Sequence, residues 1–459
     1  MIHQFSLNGY HITLDVGSGS VHVTDQVSAE AIRLMETLPA EQALEQLKGH
    51  CNGADVTEHT LRDALRQIEQ MKEEGVLYAP DPSLEENSSV QKSSQIVKAL
   101  CLHVAHTCNL TCSYCFAAQG KYQGEHALMP FSVGKQALDF LVAHSGSRYN
   151  LEVDFFGGEP LMNWEVVKQL VAYGRELEKT HHKHFRFTLT TNGVLLNDEI
   201  MDFCNKEMHN VVLSLDGRKE VHDRFRLDPM GRGSYDKVVP KFQRFVEKRQ
   251  GKGYYIRGTY THHNPDFFQD ILHMADLGFT ELSMEPVVAP EGDPAALTEE
   301  DMPIVWEQYE LLAKELIKRH REGNPLTFYH YMLDLENGPC LHKRIAGCGC
   351  GTEYMAVTPW GALYPCHQFV GDQDASLGDV YQGIKNTELQ KEFEQCTLFS
   401  HPECADCWAK YFCSGGCAAN NFHASGTLNG VYRRGCDLFR KRMECALMVQ
   451  AAIDDENEG

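Results

Sequence analysis

The sequence predicts an α/β chain built around a parallel sheet curled into a partial (β/α)6 barrel, with a small strand-and-helix unit before it and a cysteine-rich segment after it. Three observations carry that expectation. Apolar β-like runs recur near Leu102, Val153, Thr188, Leu213, Ile256 and Leu282, separated by helical patterns such as Ser132–His144, Asn163–Glu178 and Ser234–Lys248. The first run ends in a loop bearing Cys108, Cys112 and Cys115, and the chemistry of βα folds sits on loops at the C-terminal ends of strands. From about Cys340 to Cys436 long apolar runs give way to cysteine and glycine, so metal must do some of the folding there.

In chain order, residues 1–80 open with short alternating runs broken at Gly9 and at Gly17 and Gly19, which predicts three strands joined by two hairpins. Asp25 is placed to cap a helix from Gln26 to Thr37. From Thr57 onward Leu61, Ala64, Leu65, Ile68 and Met71 recur at helical spacing until Gly75, and Val76 to Tyr78 reads as a returning strand. Residues 81–97 are polar and serine-rich and read as a linker. The barrel is expected over 98–310, a helical bridge over 311–339 and the cysteine-rich domain over 340–459.

At 459 residues and 42% hydrophobic content the chain can build several folded cores. Its formal charge of −22 argues against a phosphate backbone or an anionic membrane surface as the main partner. No run approaches the roughly 18 apolar residues of a membrane span, and MIHQFSLNGY lacks the apolar core of a signal peptide, so a cytoplasmic location is expected. Seventeen cysteines in such a compartment are expected to bind metal or catalyse rather than pair in disulfides. Cys51, Cys101, Cys204 and Cys445 stand singly among apolar residues and read as core. Cys396 lies outside any ligand spacing and reads the same way.

The spacing CxxxCxxC is the strongest functional signal. Three thiolates on one short loop can hold three corners of a [4Fe–4S] cube and leave the fourth iron for a small ligand, whereas a structural zinc site wants four protein ligands. With Tyr114 and Phe116 around the last cysteine, the loop resembles that of radical S-adenosylmethionine (SAM) enzymes, whose barrel is TIM-like. The resemblance implies reductive cleavage of SAM to methionine and a 5′-deoxyadenosyl radical, which takes a hydrogen atom from an unactivated carbon. Gly157, Gly158, Glu159 and Pro160 close the second strand and resemble the family's GGEP motif, which binds the methionine amino group. Two glycines let the backbone approach a ligand closely, and a carboxylate can receive an ammonium. Thr191 and Asn192 end the third strand, and Ser214 and Asp216 the fourth, where ribose contacts lie in the family; an ordinary turn is the other reading of both. Arg226, in VHDRFR, matches the position that contacts the SAM carboxylate in related enzymes, with a surface salt bridge as its alternative.

Further on, Cys348 precedes the GALYPC run ending at Cys366. Cys404, Cys407, Cys413 and Cys417 follow at CxxCx5Cx3C spacing, and then Cys436. The pattern resembles the seven-cysteine motif of SPASM domains. It implies one auxiliary [4Fe–4S] cluster on Cys404, Cys407, Cys413 and Cys436 and another on Cys348, Cys366 and Cys417, which makes three clusters in all. The last set has three ligands, so either another residue closes it or the site stays open to a substrate cysteine. Cys340 lies eight residues upstream, and Cys350 also fits the first motif position. Two zinc knuckles are the alternative for this segment.

Sulfatase-maturing enzymes resemble the chain over the barrel but place an aspartate base directly after the cysteine equivalent to Cys366, where this sequence has His367. The N-terminal strands and the run GCGCGTEYMAVTPWGALYPCHQFVG closely resemble the maturases of SCIFF peptides, thioether-forming enzymes of the sactipeptide or ranthipeptide type. That resemblance runs the length of the chain. It implies a winged-helix recognition element over 1–80 that binds the leader of a ribosomally made, cysteine-rich precursor peptide, a flavodoxin- or ferredoxin-type reductant, and thioethers joining cysteine to threonine. A DNA-binding winged helix would want a basic recognition helix, whereas Glu58–Glu74 is mixed and slightly acidic. Formylglycine generation and quinone-cofactor maturation are the neighbouring chemistries. A non-catalytic iron–sulfur electron carrier is the rival of a different class, but it has no use for GGEP or a six-unit barrel.

Overall fold

The computed structural model describes residues 1–50, 56–81, 96–122, 124–290, 292–335 and 341–458. Cys51, Cys340 and most of the expected linker lie outside the described residues. The N-terminal runs form β1 (Ile2–Leu7), β2 (Tyr10–Asp15) and β3 (Val21–Thr24), antiparallel and in that order. Asp25 accepts from the Ser28 N–H and caps α1 (Gln26–Met35). The sequence reading leaves out α2 (Ala40–His50), which buries Ala43, Leu44 and Leu47; a Thr57–Thr60 capping box starts α3 (Glu58–Glu73). These helices share a core of their own around Ile32, Leu44, Leu61, Leu65 and Ile68. By contrast Leu7, Ile12, Leu14 and Val16 of the sheet join the main core of the molecule.

One local expectation fails here. Val76 to Tyr78 forms no strand: the Val76 carbonyl accepts from the side chains of Ser18 and His22 instead of a backbone ladder, and Tyr78 sits at φ 54°, where a strand cannot continue.

The six barrel strands appear where the apolar runs place them: β4 (Ala99–His106), β5 (Asn150–Gly157), β6 (His184–Thr191), β7 (Met208–Ser214), β8 (Tyr254–Tyr260) and β9 (Glu281–Pro286). They pair parallel in sequence order. The run ALCLHVAH of β4 is buried throughout, as a central parallel strand covered on both faces must be. Helices α4 (Phe131–His144), α5 (Trp164–His181), α6 (Asp198–Glu207), α7 (Lys219–Phe225), α8 (Tyr235–Arg249) and α9 (Phe267–Asp276) connect them. Next comes α10 (Met302–Arg321), one continuous helix across residue 310, where the sequence reading places the end of the barrel.

The cysteine-rich segment is joined to the same sheet rather than set apart from it. Its strand β10 (Tyr354–Val357) pairs parallel with β4 on the edge away from β5, and β11 (Ala362–Tyr364) follows antiparallel. The final helix, α11 (Arg433–Glu458), packs along α10 and reaches back to the N-terminal sheet, where the His3 Nε2 and Glu444 carboxylate lie 3.0 Å apart. Cys101, Cys204, Cys396 and Cys445 are all buried as core. Among the described residues no helix is long and apolar enough to cross a membrane.

Candidate active site

The cysteine loop springs from the end of β4 and meets the end of β5. A Cβ on Gly157 would lie 2.3 Å from the Ala105 carbonyl oxygen, and one on Gly158 would lie 2.2 Å from that of Thr107. The two glycines therefore let the ends of neighbouring strands close on each other, with Gly158 and Glu159 N–H groups donating to Ala105 and Thr107. Beyond them Glu159 is buried, and its carboxylate accepts from the Thr191 hydroxyl at 2.7 Å, the Asn192 N–H at 2.8 Å and the Leu161 N–H at 3.1 Å. Burial pushes its carboxyl up to about 7 despite those three donors. Asn192 also donates from its side chain to Asn109 at 2.7 Å, which ties the third strand's end to the cysteine loop.

On the fourth strand's side, Arg226 and Asp216 form a buried bidentate pair at 2.8 and 3.0 Å. Tyr114 donates its hydroxyl to the same carboxylate at 2.6 Å, and the Thr259 N–H donates at 3.0 Å. Burial raises the Asp216 carboxyl, but the Arg226 charge and hydrogen bonds outweigh it and hold the group below its ordinary range. Arg226 is thus no surface ion pair. Asp216 stands one layer behind the cavity, and its oxygens are spent on orienting Tyr114 and Arg226.

These residues enclose a cavity of about 280 Å3. Its wall includes Cys108, Cys112, Cys115, Tyr114, Phe116, Gly157, Gly158, Glu159, Pro160, Thr191, Asn192, Ser214 and Arg226, every sequence-predicted residue of the barrel site except Asp216. Sequence reasoning missed the far wall: Arg257 and Thr259 of β8, Glu285 and Pro286 of β9, and Val287 and Val288 beyond it. The period-2 alternation of YYIRGTY, which turns Tyr255, Arg257 and Thr259 to one face, is the signal that could have found part of it. His367 and Gln368 close the rim, with the His367 ring 5.4 Å from Phe116 and 5.2 Å from Phe156. Burial, and then the nearby charge of Arg257, lowers the His367 imidazole to about 4 and keeps it neutral.

The cysteines lie near one another in the groups that the resemblances imply. Cys108, Cys112 and Cys115 are within electrostatic reach of one another, as are Cys404, Cys407, Cys413 and Cys436, and Cys417 faces both Cys366 and Cys348. Cys350 is buried and its side chain hydrogen-bonds to that of Cys366. Burial pushes the thiols of Cys108 to about 12 and Cys413 to about 12, so only a bound cation would hold them as thiolates near neutral pH. Among the described residues no three His, Cys, Asp or Glu donors converge on one point as a single ion requires. Three thiols on one short loop are the donor set a [4Fe–4S] cluster would take, with its fourth iron left to another ligand.

Comparison with known proteins agrees with this geometry. Residues 102–277 match the Radical SAM superfamily. The chain is 24% identical over 362 residues to a cysteine-type anaerobic sulfatase-maturating enzyme of Clostridium novyi (strain NT), covering 73% of this chain and 91% of that protein. Among solved structures, native anSMEcpe with bound AdoMet and Kp18Cys peptide superposes with a TM-score of 0.63 at 21% identity, over 77% of this chain and 99% of the other. Streptococcus suis SuiB bound to S-adenosylmethionine gives a TM-score of 0.51 at 17% identity over 94% of this chain and 97% of the other. The last two likenesses speak for the fold.

Proposed function

We propose that the chain, whose residues 102–277 match the Radical SAM superfamily, is a peptide maturase that forms intramolecular thioethers, cysteine sulfur to a carbon of threonine, in a cysteine-rich precursor peptide. Cys108, Cys112 and Cys115 would hold the [4Fe–4S] cluster that, with SAM, supplies a radical able to take hydrogen from an unactivated carbon. Glu159 receives the SAM ammonium, Thr191, Asn192 and Ser214 line the path of its ribose, and Arg226 offers its remaining N–H groups to the carboxylate while Asp216 holds it in place. Cys404, Cys407, Cys413 and Cys436 hold a second cluster and Cys348, Cys366 and Cys417 a third. Joining a thiol to a carbon removes a hydrogen atom from the carbon, a proton from the thiol and one further electron, so a redox acceptor beside the cavity is needed. A flavodoxin- or ferredoxin-type protein supplies electrons, and the leader adds along the edge strand β3 and α3 of the N-terminal unit.

The observation that carries the choice of product is the cavity wall after Cys366. His367 stands there as a neutral imidazole. The carboxylates lining the cavity are both committed, Glu159 to three donors and Glu285 to His330 at 3.2 Å and Arg442 at 3.6 Å. In place of the aspartate base that sulfatase-maturing enzymes carry after this cysteine, the wall presents an imidazole that burial makes only weakly basic. Formylglycine generation is the second reading, favoured by the likeness to a sulfatase-maturating enzyme. Mass spectrometry of a cysteine-rich peptide encoded beside the gene, after anaerobic reaction with SAM and reductant, separates the two. Loss of two hydrogens per crosslink with the cysteine closed to iodoacetamide supports the thioether, and an aldehyde overturns it.

A further inference from the structure

A count of the charged groups around the cavity leaves one without a counter-charge. Glu159 is positioned for an ammonium, Arg226 is paired with Asp216, and Glu285 with His330 and Arg442. Arg257 lines the cavity from β8 and makes no ion pair or side-chain hydrogen bond among the described residues. Its side chain is exposed, on the strand face that turns toward the cavity. Its charge acts on His330 and His367, two imidazoles held neutral mainly by their own burial. A substrate that fills the cavity expels the water that now solvates this guanidinium, and an ionised side chain without a partner is costly once dehydrated. An occupant that brings an anion to that wall meets this charge and is favoured over one that does not.

We propose that Arg257 is a specificity-determining residue that receives a carboxylate of the substrate peptide, an aspartate or glutamate close to the residues being joined. The planar guanidinium suits a carboxylate, which it can hold by two parallel hydrogen bonds. SAM also carries a carboxylate, on the same carbon as its ammonium. With the ammonium at Glu159, just past β5, that group stands three strands from β8, roughly 14 Å at ordinary strand spacing. Arg226 lies in the same cavity wall for it. The far wall of β8 and β9 is left to the peptide.

The inference rests on the peptide-maturase reading but is read out by binding, so the two can fail separately. The probes are acetyl-Thr-Asp-Cys-amide and its Asn counterpart, titrated calorimetrically into the cluster-loaded full-length enzyme with SAM present. The wild type should prefer the Asp peptide at least tenfold, Arg257→Gln should bring that ratio to about one, and Arg257→Lys should keep part of it. A ratio near one in the wild type overturns the proposal. So does a ratio that survives Arg257→Gln while the half-saturating SAM concentration rises, which would give the arginine to SAM. Absence of thioether product with the ratio intact would overturn the proposed reaction and leave this subsite standing.

Discussion

In the barrel, β4 buries all eight of its side chains and Phe155, Phe185, Phe187, Phe242 and Phe245 are enclosed, whereas beyond residue 340 a small apolar cluster gathers around Cys350, Cys366, Phe369, Phe393 and Cys396. At about 25 cal/mol per Å2 of apolar surface, burial is a large stabilising contribution in the barrel. The cysteine-rich end shares the main core through Ile345, Met355, Val357, Leu363 and Leu377 and adds grouped thiols on its loops, which bound metal would order further. The two regions also meet in one cavity, where Phe116, next to Cys115, faces His367, next to Cys366. On the proposed function, metal in the barrel would serve chemistry, and metal in the C-terminal segment would serve local folding as well.

Iron removal should break the comparison most sharply. Anaerobically reconstituted protein should hold about twelve irons in three clusters. Replacing Cys108, Cys112 and Cys115 together by alanine should remove about four irons and all SAM cleavage while leaving the circular dichroism spectrum unchanged. Replacing Cys404 and Cys407 should remove a similar amount of iron and open residues 398–436 to limited proteolysis. Equal protease resistance in both variants would erase the distinction drawn here.

The next effect is electrostatic. The Glu159 carboxyl, raised to about 7 by burial, loses its proton as pH rises from 6 to 8, and its attraction for the SAM ammonium grows with the charge. SAM affinity should therefore climb over that interval in the wild type. Glu159→Gln should bind SAM at least tenfold more weakly and show no such climb; equilibrium dialysis at three pH values measures both.

Two smaller effects test the supports of the site. Removing the Asn192 side chain by Asn192→Ala frees the cysteine loop from its tether and should weaken SAM binding about fivefold, the worth of one net hydrogen bond. In the N-terminal unit, deletion is a poor probe, because Leu7, Ile12, Leu14 and Val16 belong to the main core. Val23, exposed on the edge strand β3, is a better one: Val23→Asp should weaken binding of a leader-bearing peptide several-fold and leave a leaderless peptide untouched.

What the sequence made legible was local. Six apolar runs, the cysteine spacings and the GGEP turn each declare themselves within a few residues, and the structure places the strands and the barrel site as expected. What escaped depends on partners far along the chain. Met355 to Val357 joins β4 from more than two hundred residues away, and no periodicity within YMAV announces that pairing. Asp216 looked like a ligand contact because its turn was visible and its partners, Arg226, Tyr114 and Thr259, were not. Arg257 was passed over because a lone arginine in a strand carries no motif, and only the count of counter-charges around the cavity singles it out. The glycines of GGEP have a further requirement that the motif does not show, the close carbonyls of Ala105 and Thr107.

The central claim is that hydrogen leaves threonine while cysteine supplies only its sulfur. Reaction of the cluster-loaded enzyme with a precursor peptide deuterated throughout its threonine side chains and α-carbons, followed by mass spectrometry of the 5′-deoxyadenosine, tests it directly. The account predicts deuterium in the nucleoside, with a matching loss of one deuterium and one hydrogen from the crosslinked peptide. Unlabelled nucleoside from that peptide, with label arriving only when the cysteine β-carbon is deuterated, would contradict it and establish the formylglycine route.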